Sequence, residues 1–356
     1  MEETYGHRQA EQFCREILPR VSRTFDLAIR FLPKRLGQPV GLAYLLCRIA
    51  DTYEDSAILG SLQRKEMLFK YASLLENYPA YDNRLLNELE TAFTDRFIAG
   101  DSESDYIDDL PSVKLVENIS RVLRAVDMLP PSFRCHIFPR VREMALGMAE
   151  YTTLAGGGQS DICFIKDEDD WDKYCYYVAG TVGHMLTDLF SDYAGFSDTT
   201  RQRLHPLGRS FGLGLQKVNV LKDAVIDTRR GICFLPQTFV ERFGVSFTRL
   251  SEADFKGDIT GLVATVVNTC HRHFQDSLDY IKIIPHKHLG LRMFLIVPVM
   301  LAAGTLRLFT DYPQRLLEKG DLKLARTDVW RLVRRSSYCR FSNRLLAYSF
   351  GKLYPA

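Results

Sequence analysis

The sequence predicts an all-α fold: one helical domain over residues 1–356, packed as a bundle around a central apolar cavity. Apolar residues recur at helical spacing from end to end, and strand-type alternation is scarce. Two of the expected helices carry a polar stripe that ends in carboxylates at i and i+4. No linker splits the chain, and 356 residues suffice to bury a large core.

Taken in order, the first helix is expected over about 7–18, ending near Pro19. Ser22 is a natural N-cap for a helix through Ile29 and Phe31 that stops at Pro33. A loop with Gly37 and Pro39 then leads into the helix of the first stripe. Helices follow over about 61–77, 83–98, 111–127 and 131–150, with a solvated acidic loop at 100–109. The glycines at 156–158 serve either as a flexible connection or as backbone that can approach a phosphate. From Asp172 to Phe190 the pattern is helical again. Ala179, Gly180 and Gly183 clear one face there, for a close helix neighbour or for a long apolar ligand. The helix of the second stripe ends at Arg229-Arg230-Gly231, with Gly231 as the C′ residue and Pro236 beyond it. Helices over about 251–281, 289–309 and 326–350 complete the chain. The window Leu289–Phe309 is the most apolar. Arg292, Pro298 and Arg307 interrupt it, so it reads as a buried bundle helix and not as a membrane span.

The first stripe is Tyr44, Arg48, Asp51 and Asp55, at offsets of four, three and four on a helix otherwise lined by Leu42, Leu45, Leu46 and Ile49. Two carboxylates ~6 Å apart in an effective dielectric of ~20 repel by roughly 3 kcal/mol. A cation between them removes that cost, and paired carboxylates suit Mg²⁺, which keeps several waters and bridges to phosphate oxygens. A solvated acidic helix end is the plain alternative for one such pair. The second stripe repeats the pattern with Gln216, Asn219, Asp223 and Asp227. Two such helices facing each other across a bundle would hold Mg²⁺ and the diphosphate it bridges.

A formal charge of +2 argues against nucleic acid as a partner. The eight cysteines show neither a C-x-x-C pair nor zinc-ligand spacing, which suits reduced thiols in the cytoplasm. The N-terminus has no apolar core of a secretory signal, and the C-terminus has no evident anchor. No G-x-G-x-x-G follows a strand, so a Rossmann site is not expected.

These blocks resemble the squalene and phytoene synthase family, the head-to-head trans-prenyltransferases, and within it the squalene synthases. Ser22-Arg23-Thr24-Phe25 is similar to the family's S-R-x-F block. Tyr44-x-x-x-Arg48-x-x-Asp51-Thr-x-Glu54-Asp55 resembles its first aspartate-rich motif. Asp172-Lys-Tyr-Cys-Tyr-Tyr-Val-Ala-Gly-Thr-Val-Gly183 is similar to the D-K-Y-C-H-Y-V-A-G-L-V-G stretch. The second motif is matched from Leu215 to Asp227, and Val297-Pro298-x-Met300 resembles the I-P-x-V-M-A helix. The resemblance runs from about Ser22 to Leu332, most of the chain.

The resemblance implies an isoprenoid-synthase-type bundle that binds two farnesyl diphosphates through Mg²⁺, with Mn²⁺ a possible substitute. It implies metal ligation by Asp51, Glu54, Asp55, Asp223 and Asp227. Diphosphate contacts fall to Ser22, Arg23, Phe25, Arg48, Gln216, Asn219, Lys222 and Arg230. The resemblance implies that Tyr177 handles a proton and that the Phe294 ring stabilises carbocations; Tyr44, by its place on the stripe with Arg48 and Asp51, is a second candidate for the proton. The products implied are presqualene diphosphate and, after hydride transfer from NADPH, squalene. NADPH contacts would rest on the Phe31–Gln38 loop, through Lys34 and Arg35. An insoluble product suits peripheral membrane contact.

Two positions depart from the pattern: Ile226 stands where the family usually has an acid, and Ile232 where many members carry Arg. They leave open a member that stops at presqualene diphosphate, makes a dehydrosqualene- or phytoene-type product, or prenylates another acceptor. A non-catalytic scaffold is the alternative from another class.

Overall fold

The computed structural model describes residues 2–93, 110–152, 163–228, 231–245, 257–316 and 322–354. The contacts group the chain into two compact units, Met1–Thr153 with Asp188–Gly195, and Leu154–Thr187 with Phe196–Ala356. Each is all-α apart from one short pair of strands among the described residues.

In the first unit α1 (Glu2–Val21), α2 (Arg23–Ile29) and α3 (Lys34–Glu54) are followed by α4 (Ser61–Glu76) and α5 (Asn83–Glu90). Then come α6 (Leu110–Val116), α7 (Ile119–Asp127) and α8 (Pro131–Tyr151). The packing centres on α3, which touches α1, α4, α6, α7 and α8. Its buried Tyr53 donates to the Leu89 carbonyl at 2.9 Å, and Tyr71 of α4 donates to the Leu46 carbonyl at 2.9 Å. These bonds let two large rings enter the core without stranding a hydroxyl.

Proline rules misplace two boundaries, and a third break escapes the spacing. α1 runs through Pro19 to Val21, because a proline so close to a helix end removes only one ladder bond. α3 begins at Lys34 with Gly37 and Pro39 inside it, so the expected loop is its first turns. Pro33 is the N-cap, and its carbonyl accepts the N–H groups of Leu36 and Gly37, each at 2.8 Å. The helix expected over 111–127 is two helices, divided at Asn118, whose side-chain amide donates to the Lys114 carbonyl at 2.8 Å. α5 ends at Glu90 with Thr91 as C-cap, and 94–98 lie outside the described residues.

The second unit holds β1 (Cys163–Ile165), α9 (Glu168–Cys175), a π-helical segment (Tyr176–Gly180) and the start of α10 (Thr181–Ala194). α11 (Asp198–Thr228), β2 (Ile232–Pro236) and α12 (Gln237–Arg242) follow, then α13 (Ile259–Ile283), α14 (Leu289–Asp311), α15 (Arg326–Cys339) and α16 (Asn343–Leu353). The strands pair in parallel, Cys163 opposite Ile232, and were too short to show as alternation in the sequence. Gly231 takes φ 79°, as its C′ position requires. The helix expected over 326–350 breaks after Cys339, and Ser342 caps α16 by accepting the Leu345 N–H at 3.2 Å.

α14 is long and apolar enough to cross a membrane by length and composition, but 83% of its most apolar window is buried. Arg292 explains the burial. Fully enclosed, it donates to the carbonyls of Ile281 (2.7 Å), Ile284 (2.9 Å) and Arg340 (2.8 Å), and to Asn343 Oδ1 (2.6 Å). Two of those carbonyls close the end of α13, where a cation is favoured.

The small residues of the Asp172–Phe190 stretch receive a helix neighbour. A Cβ on Gly183 would run into the carbonyl of Gly208 on α11, and one on Gly212 would run into the carbonyl of Ala179. All eight cysteines are free: six are buried, Cys163 is half-buried and Cys135 is exposed. Burial pushes the thiols of Cys14, Cys233 and Cys270 up to about 12.

Gly183→Ala is therefore expected to cost at least about 1–3 kcal/mol in urea unfolding, since backbone must move to admit the methyl group. Gly351→Ala, at an α16 position with open space around it, should be neutral or stabilising by up to ~1 kcal/mol.

Candidate active site

In the first unit the predicted residues lie along α3 and at the start of α2, where the side chain of Arg23 is outside the described residues. Ser22 caps α2, its hydroxyl accepting the Phe25 N–H at 3.1 Å. Phe25 stacks on Tyr44, ring centroids 5.5 Å apart at 30°. The Tyr44 hydroxyl donates to the Val21 carbonyl at 3.4 Å, and burial pushes its pKa up to about 12. Arg48 lies one turn on. Its Nε and Nη2 donate to Ser112 Oγ at 3.3 and 3.2 Å, and its Nη1 is 3.8 Å from Asp51 Oδ2.

Asp51 is pushed up to about 7, chiefly by desolvation. Arg48 opposes the shift and Asp55 adds to it. The Asp55 N–H closes the helix on the Asp51 carbonyl at 2.8 Å. Glu54 behaves differently from its neighbour: it is 7% exposed, and its backbone carbonyl accepts from Arg64 Nη1 at 3.2 Å.

In the second unit α11 carries the other stripe. Gln216 is half-buried and Asn219 exposed. Lys222 links two stripe members, its Nζ reaching Asn219 Oδ1 at 3.3 Å and Asp223 Oδ2 at 3.1 Å. Asp227 is buried, at 8% exposure. Arg230 and the glycines at 156–158 lie outside the described residues. Ile232 opens β2 at 5% exposure, so the position where many family members carry Arg belongs here to the apolar interior.

Tyr177 sits in the π-helical segment, where the Thr181 N–H bonds the Tyr176 carbonyl five residues back. Such wide turns recur at functional sites. The ring is half-buried, with Lys173 Nζ 5.7 Å from its centroid and the Tyr176 ring 5.6 Å away. Phe294 on α14 is 1% exposed. Lys34 and Arg35 are exposed at the N-terminus of α3.

One residue escaped the sequence reading. Lys217 is 1% exposed, pairs with Asp172 Oδ1 at 2.5 Å, and has its ammonium 4.7 Å from the centroid of the Trp171 ring. It ties α11 to α9, the helix that leads into the segment bearing Tyr177. The signal was present: Leu213, Lys217, Val220 and Ala224 follow the apolar spacing of α11, so a lysine stands where a core residue was due. Beside it, Ser210 donates to Asp276 Oδ2 at 2.6 Å and contacts His273 Nδ1 at 2.8 Å. The single hydroxyl proton goes to the carboxylate, so Nδ1 carries the imidazole proton and donates to Ser210. Burial and then the Lys217 charge hold His273 down to about 4.

Among the described residues no three His, Cys, Asp or Glu side chains gather into a ready metal site. The acidic donors form pairs, and the all-oxygen pair Asp51/Asp55 fits Mg²⁺, which takes one or two carboxylates and completes its shell with water and phosphate. Bound there, the cation would offset the cost of ionising Asp51 beside Asp55.

The squalene/phytoene synthase family model matches residues 18–328. Squalene synthase of Bos taurus is 28% identical over 321 residues, covering 87% of this chain and 66% of the relative. Squalene synthase BSS of Botryococcus braunii is 27% identical over 328 residues, covering 90% and 63%. The chain thus spans slightly under two thirds of these relatives' length. Among solved structures, TcSQS with the ligand E5700 has a TM-score of 0.75 at 21% identity, over 97% of this chain and 91% of that one. A dehydrosqualene synthase in complex with ligand has a TM-score of 0.61 at 19% identity, over 96% and 100%. At these identities the structures bear on the all-α fold, which they share.

Asp172→Asn should lower stability by about 2–3 kcal/mol in chemical unfolding, since it leaves the Lys217 ammonium buried without its counter-charge. His273 gives a pH signature. Its folded pKa, about 4, is below the unfolded value, so its contribution is complete above about 6.5 and is lost as pH falls through about 4. The melting temperature of the wild type should fall across that window, and the slope should flatten in His273→Gln.

Proposed function

The chain belongs to the squalene/phytoene synthase family, and on that premise we propose that it is a farnesyl-diphosphate farnesyltransferase of the squalene synthase kind. It condenses two farnesyl diphosphates head to head into presqualene diphosphate, then reduces that intermediate to squalene with hydride from NADPH. The observation that carries the reading is the Arg48–Asp51–Asp55 stripe, a paired carboxylate and a fixed guanidinium on one half-buried face of α3.

Mg²⁺, or Mn²⁺ in its place, supplies Lewis-acid neutralisation of the diphosphate leaving group. Asp51 and Asp55 would hold it in the first unit, and Asp223 and Asp227 would be its ligands in the second. Glu54, although buried, is the further proposed ligand beside Asp51 and Asp55 in the first unit. Arg48, oriented by Ser112, supplies fixed positive charge to the departing diphosphate. Ser22, Arg23 and Phe25 contribute at the start of α2; Gln216, Asn219, Lys222 and Arg230 contribute along and beyond α11.

Tyr44, with its pKa pushed up to about 12, keeps its proton and acts as a hydrogen-bond donor. Proton transfer in the first half-reaction falls to Tyr177. The enclosed Phe294 ring stabilises cationic carbon where water is excluded. Lys34 and Arg35, cations at a helix N-terminus, are the candidate contacts for the phosphates of NADPH. Free thiols throughout support a cytoplasmic location.

A second reading, a hydrocarbon made without reductant, is favoured by Ile232, whose burial in β2 removes a polar contact. Pure protein with farnesyl diphosphate and Mg²⁺, with and without NADPH, should give squalene only when NADPH is present. The same hydrocarbon in both arms would replace the first reading by the second. Asp51→Ala and Asp223→Ala are each expected to lower kcat on the order of 10²–10³-fold, as loss of a group stabilising leaving-group charge does.

A further inference from the structure

The C-terminal helices of the second unit carry a surface that the proposed chemistry does not use. Between Arg326 and Tyr354 there are seven cationic side chains and one acid, Asp328. The whole chain carries only +2, so the remainder is net negative and the positive charge is concentrated here. Asp328 is itself neutralised by Arg331, at 2.7 Å.

Large apolar side chains stand out on the same helices. Trp330 is 63% exposed, Tyr338 62%, Phe341 55% and Tyr348 61%. Their spacing makes stripes. On α15, Trp330, Arg334 and Tyr338 follow at i, i+4 and i+8; on α16, Leu345, Tyr348 and Lys352 follow at i, i+3 and i+7. Phe341 occupies the turn between them, with Arg340 Cζ 4.8 Å from its ring centroid, and Lys352 Nζ is 5.8 Å from the centroid of Tyr348. The opposite faces hold Leu332, Val333, Leu346 and Phe350 in the core, so the outward aromatic residues are surplus to packing. Trp330 and everything beyond it lies past the span matched by the family model.

We propose that the outer face of α15 and α16 docks on an anionic lipid surface. Indole and phenol rings have an apolar body and a polar tip that suit the headgroup boundary, and interleaved Arg and Lys pair with lipid phosphate while their stems cover apolar surface. A second copy of the chain is a poor occupant, because a two-fold contact would bring seven cations against their own images. Nucleic acid is disfavoured by the negative remainder of the chain. The inference deepens the reading of an enzyme with an apolar product, yet its test uses no turnover, so either can fail without the other.

The test is flotation of the full chain with vesicles of phosphatidylcholine alone, or with about one third phosphatidylglycerol, at low and high salt. Binding is expected to the anionic vesicles, weakened by salt. The variants are Arg334→Glu and Lys352→Glu, each expected to weaken binding at least fivefold, and Trp330→Ser with Tyr348→Ser, expected to abolish it. All four residues are exposed, so melting temperatures should be unchanged, and Arg84→Glu on α5 should bind as the wild type does. The proposal is overturned by absence of binding, by equal binding to both vesicle types, or by binding that the four variants leave intact. It is equally overturned if sedimentation shows a dimer that Trp330→Ser dissolves, or if a nucleic-acid duplex competes the protein off vesicles at stoichiometric concentration.

Discussion

Within the second unit, the approach of two backbones sets the rest. The π-helical segment and α10 lie so close to α11 that Gly183 and Gly212 each admit only hydrogen where a side chain would meet a carbonyl. Interiors are packed too densely to absorb a displacement there locally. The spacing between Tyr177 and the Gln216–Asp227 stripe is therefore inherited from three glycines and an alanine, none of which touches substrate in the proposed reaction. Lys217 adds a directional element to that contact. A stack of small residues can slide along its groove, but an ammonium held by one carboxylate and one indole has a single register.

The first unit reaches a comparable result by hydrogen bonds. Ser112, on α6, holds the guanidinium of Arg48 and so links a helix remote in sequence to the acidic stripe. Tyr44 sits between Val21 and Phe25, which fixes the entry of α2 against α3. In the first unit Arg48, proposed to bind diphosphate, is oriented by Ser112, which has no part in binding it, and this limits the reorganisation needed as charge develops.

The sequence conveyed the helices and the stripes well, because both depend on spacing along one element. Tyr44, Arg48, Asp51 and Asp55 share a face as their offsets require. What depends on neighbours was hidden. Pro19 and Pro39 signal breaks, but each costs one ladder bond, which tertiary packing outweighs. The π turn at Tyr176–Gly180 has no periodicity of its own, and two strands of three and five residues are too brief for alternation to register. Glu54 adjoins Asp55 in sequence yet is enclosed, a difference of about 100° around the helix that a motif string does not express. Lys217 was visible as a charge in an apolar stripe but needed Asp172 and Trp171 beside it to acquire a meaning.

The unequal burial of the thiols has a practical side. Five of them are pushed well above the ordinary cysteine range, where the reactive thiolate is scarce at neutral pH. Cys135, near the start of α8, is the exposed one, with its sulfur 3.0 Å from the Ser132 carbonyl. A brief exposure to a maleimide dye should mark that position ahead of the others and give the first unit a fluorescent reporter without engineering of the chain.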